Sequence, residues 1–168
     1  MSPSELPDAE AQCIDLAALI RPQLTADTAL IGIHSGGAWV ARRLGELLGL
    51  ADKIGLIDVS FYRDDFGEKG LHPQIKPTSI PFDIEDRTLI LVDDVLYTGR
   101  TTRAAINELF DYGRPGRIWL AVLADRGGRE LPVCAQFCAW QVDLDKKDDL
   151  VLKPDAQGRL HWRLDQHA

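Results

Sequence analysis

The chain has 168 residues, 45% of them hydrophobic and 27% charged, and its 19 Lys and Arg against 26 Asp and Glu leave a formal net charge of −7. Such a chain can bury about two-thirds of the surface its unfolded form exposes, which excludes disorder, collagen-like repeats and a fold that depends on disulfide or metal staples. No apolar run reaches the ~18 residues of a membrane span, and the acidic opening MSPSELPDAEAQ is unlike a secretory signal, so a cytoplasmic location and no membrane partner are expected.

In chain order, the first element is a helix from Asp8 to Leu24, where Cys13, Leu16, Ala17 and Ile20 share one face. Ala29-Leu30-Ile31-Gly32-Ile33 is a short β-branched apolar run that breaks at His34-Ser35-Gly36-Gly37, and apolar residues resume at helical period from Trp39 to Leu48. This reads as strand, glycine turn, helix. Lys53 to Tyr62 (KIGLIDVSFY) is rich in β-formers and predicts a second strand. Arg63 to Pro81 carries Gly67, Gly70, Pro73, Pro77 and Pro81 with little periodicity, the marks of a mobile functional loop.

Thr88 to Val92 (TLILV) has the near-continuous apolar character of a parallel strand buried on both faces. It is expected to end at Asp93-Asp94, turn through Tyr97-Thr98-Gly99-Arg100, and enter a helix from Thr101 to Phe110 closed by Gly113 and Pro115. Ile118 to Ala124 is a further buried strand, ending in Asp125-Arg126-Gly127-Gly128. Short β-like pieces follow around Gln136 to Val142, Leu150 to Leu152 and Leu160 to Leu164, with a turn at Asp155-Ala156-Gln157-Gly158. The alternation predicts an α/β fold: a central, mainly parallel sheet flanked by helices, one domain over residues 1–168, and a small hood made by the C-terminal segment and the 63–81 loop. Cys13, Cys134 and Cys138 cannot all pair, and Cys134 and Cys138 lack C-x-x-C spacing. They read as reduced, partly buried small apolar residues.

The chemistry concentrates in Leu89 to Thr101, LILVDDVLYTGRT. Two carboxylates stand at the C-terminal end of a buried strand, followed by a turn whose N–H groups and Thr hydroxyls open a helix. A helix N-terminus suits a phosphate, and adjacent carboxylates suit vicinal hydroxyls or a divalent cation. Together they describe a site that holds a ribose 5-phosphate by both ends. A Walker A loop is excluded because the segment has one glycine and carries Arg100 where Lys is required, and the spacing of Gly32, Gly36 and Gly37 excludes a dinucleotide fingerprint.

At these residues the sequence resembles the type I phosphoribosyltransferases, whose signature for 5-phosphoribosyl-1-diphosphate (PRPP) is four apolar residues, two acidic residues and a T-G-x-T turn. VDDVLYTGRT, together with SFYRDDF and DRGGRELPV, resembles more narrowly the PyrR family, pyrimidine operon regulators that are also uracil phosphoribosyltransferases. The resemblance covers about Ile31 to Val133 and implies a type I phosphoribosyltransferase-like fold. It implies that Asp93 and Asp94 hold the ribose hydroxyls, that Tyr97, Thr98, Gly99, Arg100 and Thr101 wrap the 5-phosphate, and that Ser35, Gly36 and Gly37 form the turn that meets the diphosphate. This chain departs from the family pattern in having Gly36 where an arginine is common. Arg63 is then the first candidate among catalytic cations for the diphosphate, with Lys76, Arg100 and Arg126 behind it. Asp125 and Arg126 match the family position near the base.

The implied reaction is Mg²⁺-dependent transfer of phosphoribose from PRPP to uracil, giving UMP, with the metal held mainly by PRPP and through water by Asp125. Tyr97 stands where purine enzymes commonly place an aspartate, and a phenol with pKa near ~10 cannot serve as a base at neutral pH, which favours a pyrimidine. A homodimer or tetramer is the family expectation. The alternative is a UMP- or UTP-sensing regulator that binds RNA. Residues 1–30 set Glu5, Asp8, Glu10, Asp15 and Asp27 against Arg21, and Asp143, Asp145, Asp148 and Asp149 surround Lys146 and Lys147, a poor surface for phosphate backbones.

Overall fold

The computed structural model describes residues 5–60 and 77–166. Arg63, Lys76 and most of the expected 63–81 loop lie outside the described residues. The elements are α1 (Ala9–Ile20), a 3-10 turn (Arg21–Gln23), β1 (Ala29–Ile33), α2 (Gly36–Leu48), β2 (Ile54–Ile57), β3 (Thr88–Leu96), α3 (Arg100–Leu109), β4 (Arg117–Asp125), β5 (Phe137–Gln141), β6 (Asp148–Pro154) and β7 (Leu160–Gln166).

Five strands form one parallel sheet in the order β2-β1-β3-β4-β5. Their side chains divide by parity. Leu30, Ile90 and Val92 pack against α1 and α2, while Ile31, Leu89 and Leu91 pack against α3 and Ile84. Neighbouring strands present the same parity because the register sets Leu30 beside Ile90 and Ile31 beside Leu91. Each of these buried side chains contributes about 1.5–3 kcal/mol of transfer free energy. Both faces are covered, so β1 and β3 read in sequence as unbroken apolar runs rather than alternating ones.

Several expected boundaries move, each for a local reason. The helix expected over Asp8 to Leu24 begins after Asp8, whose carboxylate accepts from Glu10 N–H at 2.9 Å, and it gives way at Arg21 because Pro22 has no N–H to continue the ladder. The second strand is shorter than expected, and Phe61 and Tyr62 lie outside the described residues. The third is longer. Pairing with β4 carries β3 past both carboxylates to Leu96, beside Asp125. Asp93 and Asp94 are therefore strand residues. Cys134 is exposed, against the expectation of partial burial, whereas Cys13 is buried on the inner face of α1.

The hood is an antiparallel hairpin of β6 and β7 turned at Asp155–Gly158. It is built on the N-terminal helix. Trp162 Nε1 donates to Gln12 Oε1 at 2.6 Å in the interior, and Leu160 N–H donates to Glu10 Oε1 at 2.7 Å. Arg43 on α2 pairs with Glu10 at 2.9 Å and also donates to the Gly158 carbonyl. The Arg43 guanidinium, ahead of the opposing effect of burial, holds the Glu10 carboxyl below its usual value. At the opposite edge of the sheet, Ser79 makes an isolated antiparallel bridge to Leu56 on β2. No helix among the described residues is long and apolar enough to cross a membrane.

Candidate functional site

In this strand order the chain reverses direction between β1 and β3, and open α/β sheets bind ligands in the crevice outside the strand ends at such a point. A cleft of about 260 Å³ lies there. Its floor is the end of β1 and the start of α2 (Ile33, His34, Ser35, Gly36), its far wall Asp93, Asp94, Val95, Tyr97 and Thr101, and its roof Arg126 with Asp149, Leu150 and Val151 of the hood. The His34–Ser35 peptide at the floor is cis.

The two carboxylates of this wall belong to opposite parities of β3. Asp94 lies against the β1–α2 turn: a Cβ added at Gly36 would collide with its carboxylate and come within 2.9 Å of its Cβ. Asp94 Oδ1 accepts from Val95 N–H, and Asp93 Oδ1 accepts from Asp94 N–H, both at 2.9 Å. These local bonds stiffen an acidic pair near the C-terminal end of the central strand, with Asp93 only 8% exposed. The absence of a side chain at Gly36 thus leaves the space that Asp94 occupies.

Of the residues singled out in the sequence, Ser35, Gly36, Asp93, Asp94, Tyr97, Thr101 and Arg126 line the cleft. Gly37, Thr98, Gly99, Arg100 and Asp125 stand outside that wall. The Arg100 guanidinium pairs with Glu130 at 2.9 Å, and the Asp125 carboxylate receives Arg129 at 2.6 Å and Gly127 N–H at 3.0 Å. Arg126 is buried. Its guanidinium lies 4.1 Å over the Tyr97 ring, donates to the Asp145 carbonyl at 3.0 Å and sits 3.6 Å from Asp149, tying the cleft wall to the hood. A side chain at Gly128 would strike the same Tyr97 ring from its edge.

Four contributors carry no local sequence signal. The hood residues Asp149, Leu150 and Val151 had no motif to mark them. Arg129 stood inside the quoted DRGGRELPV segment, and only its three acceptors in the fold distinguish it from a solvated loop charge.

The phosphoribosyl transferase domain family matches residues 4–149. A protein named Bifunctional protein PyrR from Ralstonia nicotianae is 48% identical over 155 residues, covering 90% of this chain and 88% of that one. The chain belongs to the PyrR family. A PyrR protein from Nitrosococcus oceani is 52% identical over 126 residues, 74% of this chain and 71% of its own. Among solved structures, a hypoxanthine-guanine phosphoribosyltransferase from Bacillus anthracis superposes with a TM-score of 0.66 at 18% identity, covering 84% of this chain and 86% of that chain. A purine phosphoribosyltransferase from Pyrococcus horikoshii gives 0.59 at 26% identity, over 80% and 82% of the two chains. The PyrR-family sheet described above is thus the type I phosphoribosyltransferase fold.

Proposed function

We propose that this chain is a uracil phosphoribosyltransferase that makes UMP and diphosphate from uracil and PRPP. The observation that carries the reading is the cleft in which an acidic pair at the end of β3 faces the β1–α2 turn on one side and leads into the α3 N-terminus on the other. In this arrangement Asp93 and Asp94 hold the ribose 2- and 3-hydroxyls, the turn from Tyr97 to Thr101 receives the 5-phosphate, and Ser35 to Gly37 meet the diphosphate. The bond from ribose C1 to the diphosphate oxygen breaks as the bond from C1 to the uracil nitrogen forms, and the nitrogen's proton passes to water or the released diphosphate. Departure runs ahead of attack, so the ribose ring held by the two carboxylates takes on cationic character at C1, which their negative charge favours electrostatically. Arg63 remains the proposed cation for the leaving group.

The donor set fits Mg²⁺ in one particular way. Among the described residues no group of three carboxylate, histidine or cysteine side chains converges as a metal cage. A pair of carboxylates beside an open cleft suits a hydrated Mg²⁺ carried mainly by substrate oxygens, with Asp93, Asp94 and, through water, Asp125 as its protein partners. When bound it supplies positive charge to the departing diphosphate.

Tyr97 supports a pyrimidine over a purine. Its ring lies 4.1 Å under the Arg126 guanidinium and packs closely beside Gly128, so at this position the cleft wall offers an aromatic surface in place of the aspartate that purine enzymes commonly carry there. Radiolabelled uracil incubated with PRPP and Mg²⁺ tests the reading. UMP should form with uracil well ahead of hypoxanthine or guanine, and a purine preference or no transfer at all refutes it.

Binding to pyrimidine leader RNA, the regulatory role implied by the family, we infer to be weak. Arg43 is committed to Glu10 and Gly158, and the Arg117 guanidinium stacks 4.8 Å over Trp119. Filter binding near physiological salt decides between the roles: tight, UMP-enhanced retention of such RNA would favour the regulator.

A further inference from the structure

The loop after β4 takes hold of two consecutive carbonyl groups in the β3–α3 turn. Arg129 Nη1 donates to the Tyr97 carbonyl at 2.7 Å, and the N–H groups of Glu130 and Leu131 donate to the Thr98 carbonyl at 2.9 and 3.1 Å. Arg129 is itself fixed on two further sides, by Nη2 to Asp125 Oδ2 at 2.6 Å and by Nε to the Val133 carbonyl at 2.9 Å. Arg100 closes the contact from the other direction through Glu130.

Across a trans peptide the carbonyl and the next N–H point in opposite directions. Capture of the Tyr97 and Thr98 carbonyls therefore turns the N–H groups of Thr98 and Gly99 away from the loop. Neither N–H donates to another described residue. Thr101, in the first turn of α3, lines the cleft. Outward-held carbonyls and unspent N–H groups at the start of a helix are the two halves of an anion cradle, and the first half is made by residues that never reach the cleft.

We infer that Arg129 is a positioning residue for the 5-phosphate: it orients the Tyr97–Thr101 turn by its carbonyl side so that the N–H side meets the anion. The inference rests on the phosphoribosyl reading of the site. It also accounts for Asp125, which serves the cleft by anchoring Arg129. The planar fork matters, because a lysine ammonium on a flexible stem cannot span three acceptors held in three directions. Without the fork the turn can rotate its Tyr97 peptide toward the helix and present a carbonyl, rather than an N–H, to the phosphate.

The test separates phosphate affinity from affinity for the rest of the nucleotide. UMP and uridine are titrated by calorimetry into the full chain, into Arg129→Met and into Arg129→Lys, and the ratio of the uridine to the UMP dissociation constant reports the phosphate's share. In Arg129→Met the ratio should fall by about 30-fold, while uridine affinity changes by less than about threefold; Arg129→Lys should lose about fivefold, and added guanidinium should partly restore the methionine variant. An unchanged ratio overturns the inference, and so does equal weakening of UMP and uridine, which marks a purely structural role. If Arg129→Met does not fold, Arg129→Lys decides alone, an unchanged ratio in a normally melting protein being the refuting result. The same titrations with GMP and guanosine keep the two readings apart. Preference for GMP sinks the uracil assignment while leaving the Arg129 inference to its own ratio, and a wild-type ratio of one for both bases sinks both.

Discussion

Gly36→Ala is the smallest change that tests whether the two sides of the cleft are matched. The new Cβ would lie inside van der Waals contact of the Asp94 carboxylate and 2.9 Å from Asp94 Cβ, where carbon atoms normally stand about 3.5–4.0 Å apart. The clash has two exits. Asp94 can swing away, giving up the 2.9 Å bond from Val95 N–H, or the start of α2 can lift from the sheet. Asp94 Cβ is fixed by β3, so rotation of the carboxylate alone does not clear the contact. Overpacking of this size costs about 1–3 kcal/mol, which for a chain of this length lowers Tm by about 2–12 °C. The effect on transfer should be larger, because displacing a substrate-holding carboxylate by about 1 Å lowers kcat/KM by about 100-fold. Gly49→Ala is the control. It carries a left-handed backbone (φ 71°) with nothing within 4 Å of the added carbon, so it should cost about 1–2 kcal/mol and leave turnover alone. UMP formation and differential scanning fluorimetry on both variants decide the matter. A Gly36→Ala protein with parental activity and Tm would refute the packing argument, and one with equal activity loss in Gly49→Ala would show that stability rather than geometry is responsible.

Three further outcomes are expected. Asp93→Asn and Asp94→Asn should each lower UMP formation by about 100-fold or more while melting within a few degrees of the parent, and parental turnover in either would remove these carboxylates from the ribose site. Gln12→Leu leaves the buried Trp162 indole N–H without its acceptor and should destabilise the chain by about 1–3 kcal/mol in urea titrations, with increased protease sensitivity confined first to the β6–β7 hairpin. For Glu10 the folded pKa lies below the ordinary value of 4.5, chiefly through Arg43, so its stabilising contribution is complete above that value and is lost as pH falls through the folded one. Glu10→Gln should therefore flatten the acid limb of the stability–pH curve and leave the neutral region changed only by a constant offset; an unaltered acid limb would refute the linkage.

Where the chemistry is local, the amino-acid sequence was sufficient. Ala29–Ile33 was legible as β1 to the residue, because strands covered on both faces leave unbroken β-branched runs, and VDDVLYTGRT was legible because a strand, an acidic pair and an N-terminal helix turn must follow each other without a gap. The same local logic misplaced the end of β3. The apolar run stops at Val92, but the hydrogen bonds that define the strand come from β4, and that partner continues to Leu96. A hood from the C-terminal segment was expected, but not its seat: the β6–β7 hairpin closes against α1 through Gln12 and Trp162, 150 residues apart. Nothing local to either residue marks that pair. The division extends into the proposed site: the T-G-R-T turn is contiguous in sequence, while the groups that hold its Tyr97 and Thr98 carbonyls come from Arg129, Glu130 and Leu131, more than thirty residues on from Tyr97. A peptide's donors and acceptors are identical in every sequence context, and only contacts formed on folding select which edge is left for a ligand.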